Sequence, residues 1–115
     1  MEPEYKKWDN FLALLSDKRA PIKVKKNLIK LSPNLMILSL EEIAQNFQEF
    51  TFPVSEELRR KALQGRYKNF IKRLASTRLP VRSKRKLLTS KIGLQFLETI
   101  LPEILLSIKY SKNGE

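Results

Sequence analysis

Two short segments of the chain carry basic side chains at helical spacing. Within residues 19–30, and again within residues 78–91, cations recur three or four positions apart, which places them on one face of a helix. Such a row suits the phosphates of a nucleic acid, because each neutralised phosphate releases condensed counterions. The spacing therefore predicts contacts with a nucleic-acid backbone. The predicted binding residues are Arg78, Arg82, Lys84, Arg85, Lys86, Lys91, Arg19, Lys23, Lys25, Lys26 and Lys30.

The two basic segments belong to an internal repeat with a period of 59 residues. Residues 10–38 align with residues 69–97 without a gap and share nine identities in 29 positions. Four basic positions recur in this alignment: 19 with 78, 23 with 82, 25 with 84 and 26 with 85. A fixed period predicts two copies of one supersecondary unit. The second copy is richer in arginine, whose planar guanidinium binds phosphate bidentately, so it is the better candidate for contact.

Apolar residues spaced three and four apart predict an all-α fold, and no segment shows the alternation of a β-hairpin. We expect about six helices, arranged as two copies of a three-helix unit in a single compact domain of residues 1–115. Copy one spans residues 5–49, a linker 50–54, copy two 55–110 and a polar tail 111–115. The middle helix of each copy begins at a proline and is the most basic element of its copy.

Individual residues predict where these helices begin, break and end. The first helix should run from about residue 4 to residue 16. A later helix should begin at the N-cap Ser55 and continue past Gly65, since a glycine inside a helix costs only about 1 kcal/mol relative to alanine. Gly93 should act as a hinge before the last helix. Pro102 should kink or split that helix, because proline lacks the N–H that a helix interior uses.

Composition removes most catalytic and metal chemistry. The 115 residues include no cysteine and no histidine, so disulfides, cysteine nucleophiles, the usual zinc ligands and the commonest general base are all missing. Glu98 and Glu103 are five residues apart and fall out of register on a helix, and there is no glycine-rich phosphate loop. We therefore expect a protein that is not an enzyme and that uses no cofactor and no metal.

The net charge of +11 is concentrated in the second half of the chain. Residues 1–53 hold 8 Lys and Arg against 7 Asp and Glu, whereas residues 54–115 hold 15 against 5. No acid interrupts residues 58–97, which include 13 cations. This excess favours a polyanionic partner over a merely solvated lysine-rich face. The aromatic residues fall on apolar stripes rather than among the cations, so weakly sequence-specific binding is expected in place of base stacking.

A longer pattern covers residues 78–88, then Gly93, then residues 101–105: Pro-aliphatic, a basic run, Leu-Leu, a glycine and a leucine-proline helix. It resembles small basic open reading frames of adenovirus-like mobile elements (Polintons and adintoviruses), which have been compared with adenoviral basic core peptides. The resemblance covers residues 70–108 well and 11–38 weakly, and the usual paired glycines are reduced to one. It implies association with packaged or intracellular DNA. The residues that would carry this are Arg82, Lys84, Arg85 and Lys86.

These observations predict a non-enzymatic nucleic-acid-binding protein that contacts the backbone, with DNA favoured over RNA as its partner. The resemblance implies a viral or mobile-element origin. The alternative is a helical-repeat scaffold whose basic face meets an acidic protein partner. Binding to an anionic membrane surface is a third hypothesis. No signal peptide or transmembrane segment is expected, because the most apolar stretch, residues 92–108, contains charges and a proline. We expect an intracellular protein, and the resemblance implies a location in the nucleus or in a virion or nucleoprotein particle. The sequence does not predict the oligomeric state.

Overall fold

A computed structural model describes residues 8–49, 54–63 and 65–113, with side chains described as far as residue 108. All regular structure in these ranges is helical, which confirms the predicted all-α class. The predicted start of the first helix, most of the linker and the last residues of the tail lie outside the described residues. The helices are α1 (Asp9–Ser16), α2 (Ile22–Leu31), α3 (Asn34–Gln48), α4 (Glu56–Leu63), α5 (Lys68–Ala75), α6 (Val81–Thr89), α7 (Lys91–Thr99) and α8 (Leu101–Asn113).

The described residues hold eight helices rather than about six because the chain breaks where longer helices were predicted. The N-cap is confirmed, since Ser55 Oγ accepts a hydrogen bond from the Leu58 N–H at 3.1 Å. The helix that it begins ends at Leu63, however, and does not continue past Gly65. The chain turns there, and the Lys68 N–H bonds to the Gly65 carbonyl oxygen at 3.2 Å. The split at Pro102 is confirmed: α7 ends at Thr99 and α8 begins at Leu101.

The turns before the two basic helices have the same local hydrogen bond. Asp17 Oδ1 accepts from the Arg19 N–H at 2.9 Å, and Ser76 Oγ accepts from the Arg78 N–H at 3.2 Å. The bond to the Arg19 N–H lowers the pKa of Asp17 below its usual value, because it favours the carboxylate. In both places an extended proline follows and is the N-cap, so the helix begins one residue later than predicted, at Ile22 and at Val81. The fixed φ of proline suits this entry.

The first half of the chain packs chiefly against the second half. Helix α3 lies against α5 and α6, α1 lies against α7 and α8, and α2 lies against α6. Buried apolar residues of both halves form one core. Within the second half, the ring centroids of Phe70 and Phe96 are 4.8 Å apart, and Tyr67 lies edge-on to Phe96 at 6.1 Å. Because apolar burial is the main source of stability, each half depends on the other for its core. Within the described part of the chain, no helix has the length and hydropathy needed to cross a membrane.

Gly93 does not act as a hinge; it is a packing position inside α7. It is buried in the first turn, where its N–H donates to the N-cap Ser90 Oγ at 3.2 Å. Its backbone passes so close to the end of α6 that an added Cβ would meet the Leu87 carbonyl oxygen and would lie 2.7 Å from that of Leu88. Only glycine allows this approach of two helix backbones.

Gly93→Ala should therefore lower the free energy of unfolding by about 1–3 kcal/mol, because a backbone must shift to accept the methyl group. This loss should exceed the gain of about 1 kcal/mol in helix propensity. Lys91→Ala in the same turn is the control: this residue is exposed and should change stability by less than about 0.5 kcal/mol. Urea unfolding followed by circular dichroism measures both, and a Gly93→Ala protein as stable as wild type would contradict the close approach.

Candidate nucleic-acid interface

Two of the predicted binding residues are buried in the core. The side chains of Lys25 and Lys84 have no exposed surface, and each forms an ion pair with a glutamate from the other half of the chain. Lys25 Nζ lies 2.9 Å from Glu98 Oε1, and this ion pair joins α2 to α7. Lys84 pairs with Glu41, and this ion pair joins α6 to α3. A buried charge needs such a partner. Neither amine can reach a phosphate in this structure, so we do not include them in the interface.

Burial also acts on the protonation of Lys84. It lowers the pKa of the ammonium group below its ordinary value of 10.5, because the interior solvates a positive charge less well than water does. Glu41 retains a small exposed fraction, and its carboxylate is the acid that faces this amine. The pair is therefore a structural contact, and removing Glu41 would leave the Lys84 charge buried without a partner.

Arg85 also serves the fold rather than a free surface. Its guanidinium donates to the carbonyl oxygens of Ile29 and Ser32, the latter at 2.8 Å, and to Asn34 Oδ1 at 2.9 Å. Longer contacts of 3.4 Å reach the Lys30 carbonyl and the Ser32 hydroxyl. The last carbonyls of a helix lack intrahelical partners and carry partial negative charge, so a cation is favourable there. Arg85 thus caps the end of α2 and holds it to α6.

The other predicted residues lie at or near the surface. Arg78, Arg82, Lys86 and Lys91 in the second half are exposed, as are Arg19, Lys23 and Lys30 in the first half, while Lys26 is half-buried. Arg19 Nε is also 3.4 Å from Asp17 Oδ1, and this carboxylate partly offsets the positive charge of Arg19. The structure therefore leaves four of the predicted second-half cations accessible, and two of these, Arg82 and Lys86, lie one turn apart on α6.

Sequence reasoning missed the outer face of α5. Lys68, Lys72 and Arg73 are exposed there, opposite the buried side chains of Phe70 and Leu74. The available signal was the acid-free run of residues 58–97, in which ten of the 13 cations are exposed. Helix α5 packs against α6, so these cations and those of the following turn and helix lie on neighbouring elements. We call this set the α5–α6 basic surface: Lys68, Lys72, Arg73, Arg78, Arg82 and Lys86.

Within the described residues, no group of three Asp, Glu, Cys or His side chains could hold a metal ion. A surface recess of about 610 Å³ lies beside the start of α5, and Arg66 sits 5.8 Å from the centre of the Tyr67 ring at its edge. Its lining offers cations, an amide and hydroxyls but no carboxylate. The lining residues are Lys61, Gly65, Arg66, Tyr67, Gln95 and Thr99.

Comparisons of the chain with protein-family models, with curated proteins and with solved structures find no match. The assignment of a binding surface therefore depends on the charge, exposure and packing of this chain's own residues.

Replacing Arg85 by glutamine should lower the free energy of unfolding by about 2 kcal/mol, the scale of losing charge-assisted hydrogen bonds to partly buried acceptors. Lys86→Gln removes the same charge from the next residue, which is exposed, and should change stability by less than about 0.5 kcal/mol. Thermal and urea unfolding compare the two variants. Equal stability would show that the contacts of Arg85 with the end of α2 contribute nothing.

Glu41→Ala should lower the free energy of unfolding by about 3–5 kcal/mol, because it leaves the Lys84 charge buried without a partner. Adding Lys84→Met should recover much of this loss, since the double variant buries no charge. The loss of unfolding free energy in Glu41→Ala should also shrink as the pH rises from about 7 to about 10. Burial makes the pKa of Lys84 lower in the folded state than in the unfolded state, so deprotonation of Lys84 favours folding. Additive single and double effects would contradict the pairing.

Proposed function

We propose that this protein is a non-enzymatic nucleic-acid-binding protein that contacts the backbone through the α5–α6 basic surface. The observation that carries the proposal is the exposure of six cations on two packed helices and the turn between them, in a stretch of chain without a single acid. A concentrated positive surface attracts a polyanion and raises its association rate. Phosphate contacts of this kind provide affinity without sequence information.

We further propose that the two halves derive from one helical unit. Supporting observations are the aligned residues, the matching turn before α2 and α6, and the buried lysine at aligned positions 25 and 84. In this proposal, only some of the basic positions that recur between the two halves bind nucleic acid. Positions 25 and 84 recur because both are core ion pairs, whereas positions 19 and 78, and 23 and 82, carry exposed cations.

The dimensions of the protein limit how much duplex it covers. Its principal extents are 35 × 31 × 28 Å. Since B-DNA advances about 3.4 Å per base pair, a molecule of this size spans about ten base pairs. If most of the six surface cations each neutralise one phosphate, about four to six phosphate contacts are expected. This number of contacts predicts affinity that depends strongly on salt.

We expect weak sequence specificity because the α5–α6 basic surface offers few side chains that stack on bases or read their edges. Tyr67, Phe70 and Phe96 are buried in the core, so they provide no platform on which bases stack. Asn69 is the one exposed amide within α5. Direct base readout usually needs several such groups in a groove, so we expect the protein to discriminate poorly between sequences.

The resemblance to basic reading frames of adenovirus-like mobile elements supports DNA as the nucleic acid and a nucleoprotein particle or the nucleus as the location. The structure divides the basic residues that carry the resemblance into two classes: Arg82 and Lys86 are exposed, whereas Lys84 and Arg85 are used within the protein. In this proposal the first two bind DNA and the second two hold the basic helix in place.

Binding to duplex DNA should weaken with salt, with log affinity falling against log salt at a slope of about −0.9 per phosphate contact. The triple variant Arg73→Gln, Arg82→Gln, Lys86→Gln should lose about two to three units of this slope and at least about tenfold in affinity near 0.1 M salt. The matched control replaces Arg19, Lys23 and Lys30, which removes the same charge from the first half and should have a much smaller effect. Fluorescence anisotropy with labelled duplex measures both.

Three results would count against the proposal. Absence of binding to duplex or single strands at about 50 mM salt would end it. Equal losses in the two triple variants would show that only the total charge matters. Tight binding of polyglutamate or of acidic liposomes, abolished by the second-half triple variant while DNA binding is unchanged, would favour an acidic protein or a membrane as the partner.

A further inference from the structure

One side of α2 carries exposed aliphatic residues. Val24, Leu28 and Leu31 recur at i, i+4 and i+7, which places them on one side of the helix. Leu31 is 82% exposed and Val24 is 44% exposed. Leu35 follows in the first turn of α3 and is 52% exposed. Leu28, between Val24 and Leu31, is half-buried and packs against the core. We call these four aliphatic side chains, three of them exposed, the α2 apolar face.

The packing of α2 leaves this face uncovered within the described residues. The helix makes its main contacts with α6, whereas α6 also lies against α3, α5 and α7. The inner side of α2 buries Lys25 and Ile29, and Leu28 is half-buried beside them. Clustered apolar exposure of this kind, unlike single scattered residues, marks an interaction site in soluble proteins.

The aligned positions in the second half are not apolar in the same way. Ser83 and Ser90 stand where Val24 and Leu31 stand in the first half. Leu87, aligned with Leu28, is buried. The exposed apolar face is therefore specific to the first half of the chain and is not a general consequence of this helical arrangement.

Positive charge borders the α2 apolar face. Lys23 and Lys30 are exposed on α2, and residues 18–40 contain no acid. An occupant must therefore bring both aliphatic side chains, to cover the face, and negative charge, to complement its border. An amphipathic helix with acidic flanks has both properties and recurs as a mode of recognition.

We propose that the α2 apolar face binds an acidic amphipathic helix of a partner protein. This interaction goes beyond nucleic-acid binding and does not depend on it, because the face shares no residue with the α5–α6 basic surface. A partner helix lying along α2 would bury its leucine or isoleucine side chains against Val24, Leu28 and Leu31, while its carboxylates face Lys23 and Lys30.

Other occupants fit the face less well. A second copy of the chain, pairing the same face, would bring Lys23 and Lys30 against their own counterparts, and like charges oppose association. A bilayer would draw the exposed Asn27 towards the hydrocarbon, beside Val24 and Leu31. The exposed large apolar residues of the described chain also include no aromatic ring, which interfacial anchors commonly supply. Nucleic-acid phosphates offer nothing to aliphatic side chains.

The test is selection from a displayed library of helix-forming 16-residue peptides with varied outer positions. The full-length protein is the bait, and its Val24→Ser/Leu31→Ser variant is the counter-selection. These serines are the residues that the second half has at the aligned positions. We expect enriched peptides with aliphatic residues at i, i+3 or i+4 and i+7 and with net negative charge. Synthetic copies should bind the serine variant at least about tenfold more weakly, a loss of about 1.4 kcal/mol.

A matched control removes exposed leucines elsewhere. Leu14→Ser/Leu106→Ser deletes two exposed side chains outside the face and should leave peptide affinity within about twofold. DNA binding, measured in parallel, should be unchanged in both serine variants, which separates this inference from the proposed function. Circular dichroism verifies that each variant is folded.

The outcomes are decisive in either direction. Enrichment of acidic amphipathic peptides that depend on Val24 and Leu31 supports the proposal. No enrichment over the counter-selected variant, or enrichment of peptides without acidic residues, overturns it. Concentration-dependent dimerisation that is lost in Val24→Ser/Leu31→Ser would assign the face to a second copy, and binding to phosphatidylserine vesicles lost in that variant would assign it to lipid; either result replaces the proposal.

Discussion

The burial of two lysines is the constraint on which the rest of the arrangement depends. An ammonium group removed from water requires an opposite charge, and among the described residues the ion-pair partner of Lys25 and that of Lys84 each lie in the other half of the chain. Each partner is a glutamate on a helix of that other half. The two ion pairs therefore fix how α2 lies against α7 and how α6 lies against α3. Without the other half, each half of the chain would hold a lysine that lacks its ion-pair partner and apolar residues that are exposed to water.

The packing around each side chain gives different roles to basic residues that are neighbours in sequence. Lys84, Arg85 and Lys86 are consecutive, yet one is buried in an ion pair, one caps the end of α2, and one is exposed. Successive residues on a helix point about 100° apart, so neighbouring charges meet different surroundings. A basic run is thus divided by geometry into structural and surface residues. In our proposal, only the surface residues, together with the outer face of α5, contact phosphate.

The proposed interactions would use neighbouring helices of one small domain. Helix α2, with its apolar face, packs against α6, which contributes Arg82 and Lys86 to the basic surface. A partner helix on α2 and a nucleic acid on α5 and α6 would therefore be held on adjacent elements of the same core. The contrast between Val24 and Leu31 in one half and serine in the other gives the two halves different surfaces on a related helical pattern.

The sequence by itself determined the helical class, the entry of α2 and α6 after prolines, the N-cap at Ser55 and the split at Pro102, because these follow from local backbone chemistry and side-chain spacing. It also located the excess charge. The break at Gly65 is visible only in the structure, and tertiary packing decided the close approach at Gly93 and which cations are accessible. No local pattern reveals that Lys25 meets Glu98, 73 residues away, or that Arg85 reaches the end of α2. Burial of a charge depends on the approach of distant helices, and that approach is set by the shared core.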